Sequence, residues 1–267
     1  GEKMNKNEND EISVKRNYWV VKGNELIQKN RFELSLTEQK TIAFICSMIK
    51  KNNNNGVSFQ LEYEFDIRNY CKVCGINYDA GKNYADIKAT LKHLSDRSMW
   101  VTFPENPNEE VLCRWLSKVR TNKKSGIAYI ELDRDLVPYL YELKEKFTQY
   151  QLFNILAMKS AFSVRIYELL KSYAYLKSKI FDINDLKRLL MVDNVKSYEN
   201  FKDFRRKVLE VAEREINELT DLNISYETIK KGKKVIKIKF VIETKSPIDR
   251  AIAGAITDDR LNYTANN

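Results

Sequence analysis

Hydrophobic positions recur at helical spacing over residues 35–51 (SLTEQKTIAFICSMIKK), where Ile42, Ile45, Cys46 and Ile49 share one face. Ser35 and Glu38 ahead of them read as a capping box. The run 52–56 (NNNNG) breaks this period as a loop, and 57–65 (VSFQLEYEF) alternates as a strand. Residues 66–75 (DIRNYCKVCG) predict a short helix ending on Gly75 as its C′ residue. Over 84–94, Tyr84, Ile87, Leu91 and Leu94 form one apolar stripe, and Lys82, Lys92 and His93 fall opposite. Residues 99–103 (MWVTF) and 111–132 read as strands, the last two joined by the basic loop RTNKKSG. Ahead of all these, 17–28 (NYWVVKGNELIQ) reads as a strand that turns at Gly23-Asn24.

After Pro138 the pattern starts again. Residues 139–176 give two or three helical segments, and 181–192 (FDINDLKRLLMV) a short helix with Asp182 as N-cap. A long amphipathic helix spans 197–220, with Phe201, Phe204, Val208, Val211, Ala212 and Leu219 in its core-facing sector. A hairpin over 223–242 follows. The order helix, strand, helix, helix, hairpin thus occurs twice, which is the layout of a winged helix. The expected fold is α+β: two tandem winged-helix domains related by pseudo-two-fold symmetry. The first covers 17–137 and the second 138–243. Residues 1–16 are expected to be a flexible segment, and 244–267 a peripheral or disordered polar tail.

Composition narrows the function. A chain of 267 residues that is 43% hydrophobic can bury two cores of ordinary size. A net charge of +9 points to a polyanionic partner. No apolar run is long enough for a membrane span, and the polar N-terminus lacks the apolar stretch of a signal peptide, so a cytoplasmic protein without a membrane partner is expected. Cys46, Cys71, Cys74 and Cys113 read as reduced structural thiols. Cys71 and Cys74 form a C-x-x-C, but a lone His93 leaves no second half of a zinc site, so no metal or cofactor is expected. The phosphate-loop signature is absent, since Asn83 follows Gly81-Lys82 where Ser or Thr is required. A single histidine cannot supply the metal-binding pair of a rolling-circle nickase. A non-enzymatic protein is expected.

The candidate chemistry is cationic. On a wheel of about 100° per residue with Val208 at zero, Arg206 falls near ~160° and Lys202 near ~120°, away from the core, and Arg205 lies nearer the core boundary. Arginine's donor fork can take guanine O6 and N7 together. Ser197, Tyr198 and Asn200 sit at the end of the helix that meets base edges. In the hairpin, Lys230, Lys231, Lys233, Lys234, Lys237 and Lys239 surround one glycine, and Ile236, Ile238 and Phe240 alternate with the last two lysines. Such a wing suits phosphates. The first domain repeats the theme with Lys82, Asn83, Lys88, Lys92 and His93 on its helix, and Arg120, Lys123 and Lys124 at its wing tip. The bland alternatives are a solvated helix face and lysines that protect an edge strand.

Three stretches resemble the iteron-binding plasmid replication initiators (the RepE/RepA-like Rep family): VVKGNELIQKNRFELSLTEQK, EKFTQYQLFNILAMKSAFSVRIYELLKSY, and NFKDFRRKVLEVAEREINELTDLNISYETIKKGKKVIKIKF. The resemblance implies two winged helices that each read one part of a repeated origin site about one helical turn apart. It implies that monomers bind origin repeats and help melt adjacent DNA, while dimers bind an operator and repress the initiator's own gene. A homodimer in equilibrium with monomer, the host initiator and the replicative helicase are the implied protein partners. The dimer contacts are implied near 17–28 and the strands of 100–130. Base contact carries over to Arg206 through the F-R-R motif, and to Asn200 and Lys202. Two other readings remain open on the residues alone, a winged-helix transcriptional repressor and a structural or protein-binding winged helix, while the single histidine argues against a third, a nickase with a tyrosine nucleophile.

Overall fold

The computed structural model describes residues 2–52, 59–103, 105–141, 143 and 145–267. In chain order the elements are α1 (Glu2–Arg16), β1 (Trp19–Gly23), α2 (Asn24–Gln28), α3 (Leu36–Asn52), β2 (Glu62–Asp66), α4 (Ile67–Val73) and α5 (Ala80–Asp96). Four strands follow: β3 (Ser98–Phe103), β4 (Asn106–Arg114), β5 (Leu116–Asn122) and β6 (Ile127–Leu132). Next come α6 (Val137–Leu140), β7 (Phe147–Gln151), α7 (Phe153–Leu156), α8 (Ala161–Ser172), β8 (Ser178–Asp182) and α9 (Ile183–Leu189). The long helix is α10 (Phe201–Phe204), a π-turn over Arg205–Leu209, and α11 (Glu210–Leu219). The hairpin β9 (Leu222–Lys231) and β10 (Lys234–Thr244) leads into α12 (Pro247–Asn266).

Two three-stranded antiparallel sheets have the same plan, β2-β6-β5 and β8-β10-β9, with the returning wing strand in the middle of each. In the first, Tyr63 and Phe65 point inward from β2 while its acidic residues point out, an alternation set by the period of two. They meet Ile42, Ile45, Cys46 and Ile49 of α3 and Ile87, Leu91 and Leu94 of α5, all buried in one core. Ser35 accepts the Glu38 backbone N–H at 3.2 Å, one half of the expected capping box; the Glu38 carboxylate instead lies 3.8 Å from His93 and from Arg97. Asp66 caps α4, and Gly75 (φ +70) stands two residues beyond that helix, as expected. In the second sheet, Phe181, Ile224, Ile238, Phe240 and Ile242 cover α8 and α11, and Asp182 caps α9 by accepting from Asn184 and Asp185.

Several expectations are corrected. Residues 24–28 are helical, because the chain leaves β1 at Gly23 and Asn24 starts α2. The segment 147–151 is a strand, not helix: β7 alternates in burial and pairs antiparallel with β1, Val20 opposite Tyr150. A strand from the second half therefore pairs with one from the first, across the expected boundary at Pro138. A β-bulge between Val235 and Lys237 shifts the wing register, so Val235 joins Ile238 and Phe240 on the core face and Ile236 is only half-buried. Residues 53–58, which hold most of the expected NNNNG loop and the start of the expected strand, lie outside the described residues, and Asn52 ends α3.

Both chain ends are ordered helices, not a flexible segment and a loose tail. The Arg16 side chain is buried and joins them. Its Nε and Nη2 donate to the carbonyls of Val73 and Lys72 at 2.8 and 3.0 Å, closing the C-terminus of α4. Its Nη1 donates to Asp258 and Asn262 of α12 at 2.9 and 3.0 Å. Ser246 caps α12, with Pro247 in its first turn. A Cβ at Gly75 would lie 2.7 Å from the Leu261 Cα, so the backbones of the α4 turn and α12 touch there. On its other side α12 reaches Glu218 of α11 through Arg260.

Between the two halves, Lys22 of β1 and Glu168 of α8 form a buried ion pair at 2.7 Å, and the Tyr150 hydroxyl donates to the same carboxylate at 2.9 Å. Arg165 of α8 donates to the Asn30 carbonyl at 2.9 Å and stacks on Phe32. The Glu168 carboxylate thus meets both an ammonium and a hydroxyl donor, which is what makes such a pair tolerable away from water, whereas Arg165 Nη1 is buried without a hydrogen-bond partner.

Candidate nucleic-acid interface

The long helix of the second half, α10 to α11, is anchored at its far end and exposed at its near end. Glu215 is buried and accepts from the backbone of Lys159 and Ser160 and from the Ser163 hydroxyl, so α11 caps the N-terminus of α8. Just past the helix, Asp221 accepts from the Tyr167 hydroxyl at 2.8 Å and pairs with Lys171. Burial, then the Asp221 charge, pushes the Tyr167 hydroxyl well above its ordinary value, so it stays a donor.

At the near end the helix begins later than the sequence suggests. Residues 196–199 form a separate 3-10 turn, and Asn200 is the N-cap, accepting the Lys202 backbone N–H at 3.0 Å. Ser197 is exposed beside it. Tyr198 is half-buried, its ring set edge-on to Phe162 and Phe204, so it supports the turn and does not project from it. Lys202, Arg205, Arg206 and Lys207 are all exposed. Arg206 lies 3.5 Å from Asp203 and Arg205 3.4 Å from Glu210, weak surface pairs that leave both guanidinium groups open to another partner. Lys230, Lys231, Lys233 and Lys234 are exposed around Gly232 (φ +62), where the tight turn needs a left-handed residue.

A cleft of about 420 Å³ separates the helix start from the wing. Lys187 of α9 lines it. Its ammonium donates to the Tyr198 carbonyl at 2.7 Å and lies 5.3 Å from the Phe204 ring centre. Sequence reading passed over Lys187. Its only signal was its place five residues after the Asp182 cap, which sends it toward the helix that follows.

Its counterpart in the first half, α5, is continuous and capped by Asp79, which accepts from Lys82 at 2.9 Å. Lys82, Lys88 and Lys92 are exposed, and Lys92 pairs with Asp96. Asn83 departs from expectation. It is 7% exposed and its side-chain oxygen accepts the Asp79 backbone N–H, so it closes a reciprocal cap and faces inward. His93 is exposed, 3.8 Å from Glu38. At the wing tip, Lys123 and Lys124 are exposed before Gly126, and Arg120 stacks over Tyr129 at 4.3 Å. An extra hairpin, β3–β4, stands between helix and wing.

The four cysteines are buried and free. Burial pushes the thiols of Cys46 and Cys71 up to about 11, and those of Cys74 and Cys113 up to about 12, which makes them poor nucleophiles and poor metal ligands at neutral pH. Among the described residues no group of three or more His, Cys, Asp or Glu side chains is placed to hold a metal ion. Among them, too, no helix is long and apolar enough to cross a membrane.

Known proteins share this arrangement. Residues 19–171 match the first winged-helix region of the family described as initiator replication protein, and 182–242 match its second. An uncharacterized 27.6 kDa protein of Escherichia coli is 25% identical over 211 residues, 77% of this chain and 83% of its own. The Pi initiator protein, solved in complex with iteron DNA, has the same fold. Its TM-score is 0.69 at 19% identity, over 86% of this chain and 99% of that one. The helices α1 and α12 lie outside both matched regions. Matched in order by both regions, the chain belongs to the initiator replication protein family and is a DNA-binding replication initiator built on two winged helices.

Proposed function

We propose that the chain starts replication of a plasmid or similar small replicon by gripping repeated origin sites with both winged helices. The observation that carries this reading is the repetition. Two sheets of one strand order each stand behind a helix with a cationic outer face and beside a lysine-tipped wing. The similar fold of the Pi initiator, which was solved on iteron DNA, supports it. In this reading α10 and the π-turn enter a major groove, where Arg206 reads a base edge with Lys202 and Ser197 beside it. Asn200 contributes only the amide donors its cap leaves free. Lys230, Lys231, Lys233 and Lys234 hold phosphates, and Lys82, Lys88, Lys92, Arg120, Lys123 and Lys124 do the same for the neighbouring turn of DNA.

The work is done by binding, not by bond chemistry. A bend of tens of degrees costs about 1–6 kcal/mol, which several cationic contacts offset, and the strain favours melting nearby. The host initiator and replicative helicase then load. A dimer in equilibrium with the monomer represses the initiator's own gene at an operator. The β3–β4 hairpin suits that contact, since Trp100 and Leu112 stand opposite each other and are 59% and 51% exposed.

Selection of bound duplexes from a random pool, then titration of the winner at two salt concentrations, tests the reading. A direct repeat of about two helical turns, bound far more tightly than random DNA, is expected. Salt-sensitive binding with no enriched motif would overturn it.

A further inference from the structure

In an unbroken α-helix Arg205 would point at the core. On the wheel with Val208 at zero it falls near ~60°, between Ala212 (~40°) and Ile216 (~80°), two buried residues. The π-turn removes the conflict. It spans Arg205–Leu209 and adds one residue to this turn, and the extra rotation, spread over the turn, carries Arg205 away from the sector of Ala212 and Ile216. There its side chain is 47% exposed and lines the cleft between helix and wing. Lys187, Lys230, Lys233 and Lys234 line the same cleft, against the single carboxylate of Glu199. Burial lowers the pKa of Lys187; Glu199 opposes that shift and Lys234 adds to it. The space is therefore walled by cations on three elements, α9, the reading helix and the wing.

We propose that this cleft is a phosphate notch that takes one phosphodiester of bound DNA, with Arg205 as its two-donor fork and Lys187 and Lys233 as its flanking ammonium groups. The assignment rests on the DNA-binding reading above and adds a role for the π-turn. By seating one phosphate between helix and wing, the notch fixes how deep Arg206 enters the groove. Arg205 is then a positioning residue, and Arg206 the one that touches a base.

Two measurements on the full chain test this separately from the origin reading. The first titrates inorganic pyrophosphate into isotope-labelled protein. A saturable shift of backbone amides around Lys233 and Thr228 is expected, abolished in Arg205→Ala and kept in Arg206→Ala. An equal shift in both variants would overturn the notch, and so would no shift in the wild type. This arm needs no DNA site, so it stands even if selection enriches no motif. The second places one uncharged methylphosphonate at each position of the selected duplex. The wild type should lose about tenfold at one phosphate per bound site, the size of one charge-assisted contact. Arg205→Ala should lose nothing further at that phosphate, while its preference weakens at the base that Arg206 reads and is kept at the other positions. A variant as sensitive as the wild type at every phosphate would sink the notch and leave groove reading intact.

Discussion

The two winged helices share a strand order and differ in how they hold the helix that precedes the wing. In the first, α5 is one regular helix, its exposed cations are lysines, and its cap ties Asp79 and Asn83 together. In the second, the helix is interrupted by a π-turn, and two consecutive arginines within that turn are exposed. A lysine is a hydrated point charge, suited to phosphate, whereas an arginine fork can also match a base edge. The difference teaches that equal topology does not mean equal work. In the proposed function the second domain chooses a sequence, and the first holds the duplex in place while it does so.

The comparison has sense only if the halves are held as a unit, and the largest expected effect tests that. Lys22→Ala leaves Glu168 buried without its cation and should cost about 3–5 kcal/mol in urea unfolding. A second transition should appear as the halves come apart. A loss under about 1 kcal/mol with one transition would show that the pair does not couple them. Next in size, Arg206→Ala should remove about 1–3 kcal/mol of discrimination at one base position. Lys88→Ala in α5 should weaken the selected and random duplexes alike. Equal behaviour of the two variants would erase the asymmetry.

Smaller again, Lys233→Ala and Lys123→Ala should each lower the salt slope of binding by about one unit on any sequence. A slope moved by only one of them would show that a single wing meets DNA. Smallest per group is the alkaline effect. All four thiols sit in the first half, with native pKa values raised above the ordinary 9. Their contribution is complete below the unfolded value and is lost as pH rises from about 9 toward 11–12. At pH 9.5 the loss is under about 1 kcal/mol per thiol, and it should appear in urea melts as earlier unfolding of the first half. Unchanged unfolding of that half at pH 9.5 would argue that the thiols are not desolvated.

Much of this was legible in the sequence, for reasons the residues show. Period-4 stripes in α3 and α5, the Asp182 cap and the lysine-rich turn at Gly232 are local signals, and local signals survive folding. What escaped is set by distant partners. The strand β7 exists because β1 offers it an edge from far along the chain. The π-turn accommodates a charged side chain that a regular wheel aims inward, and no period of 3.6 can announce it. Asn83 reads as a surface residue until Asp79 folds back onto it. The ends looked polar enough to be loose, yet the buried Arg16 and the close approach at Gly75 need both helices in place.

That last feature has a kinetic side. Joining Arg16 to Asp258 closes a loop of 242 positions, whereas each wing closes over a handful. Loop entropy makes such a contact late, after local helices and hairpins have formed. A nascent chain can build its first winged helix while α12 is still unmade, but it cannot fasten the first half to the second through that helix. Hydrogen exchange pulsed during refolding should therefore protect the amides of α3 and α5 before those of α12. In this reading the tie between the two chain ends is the final step of the protein's own folding.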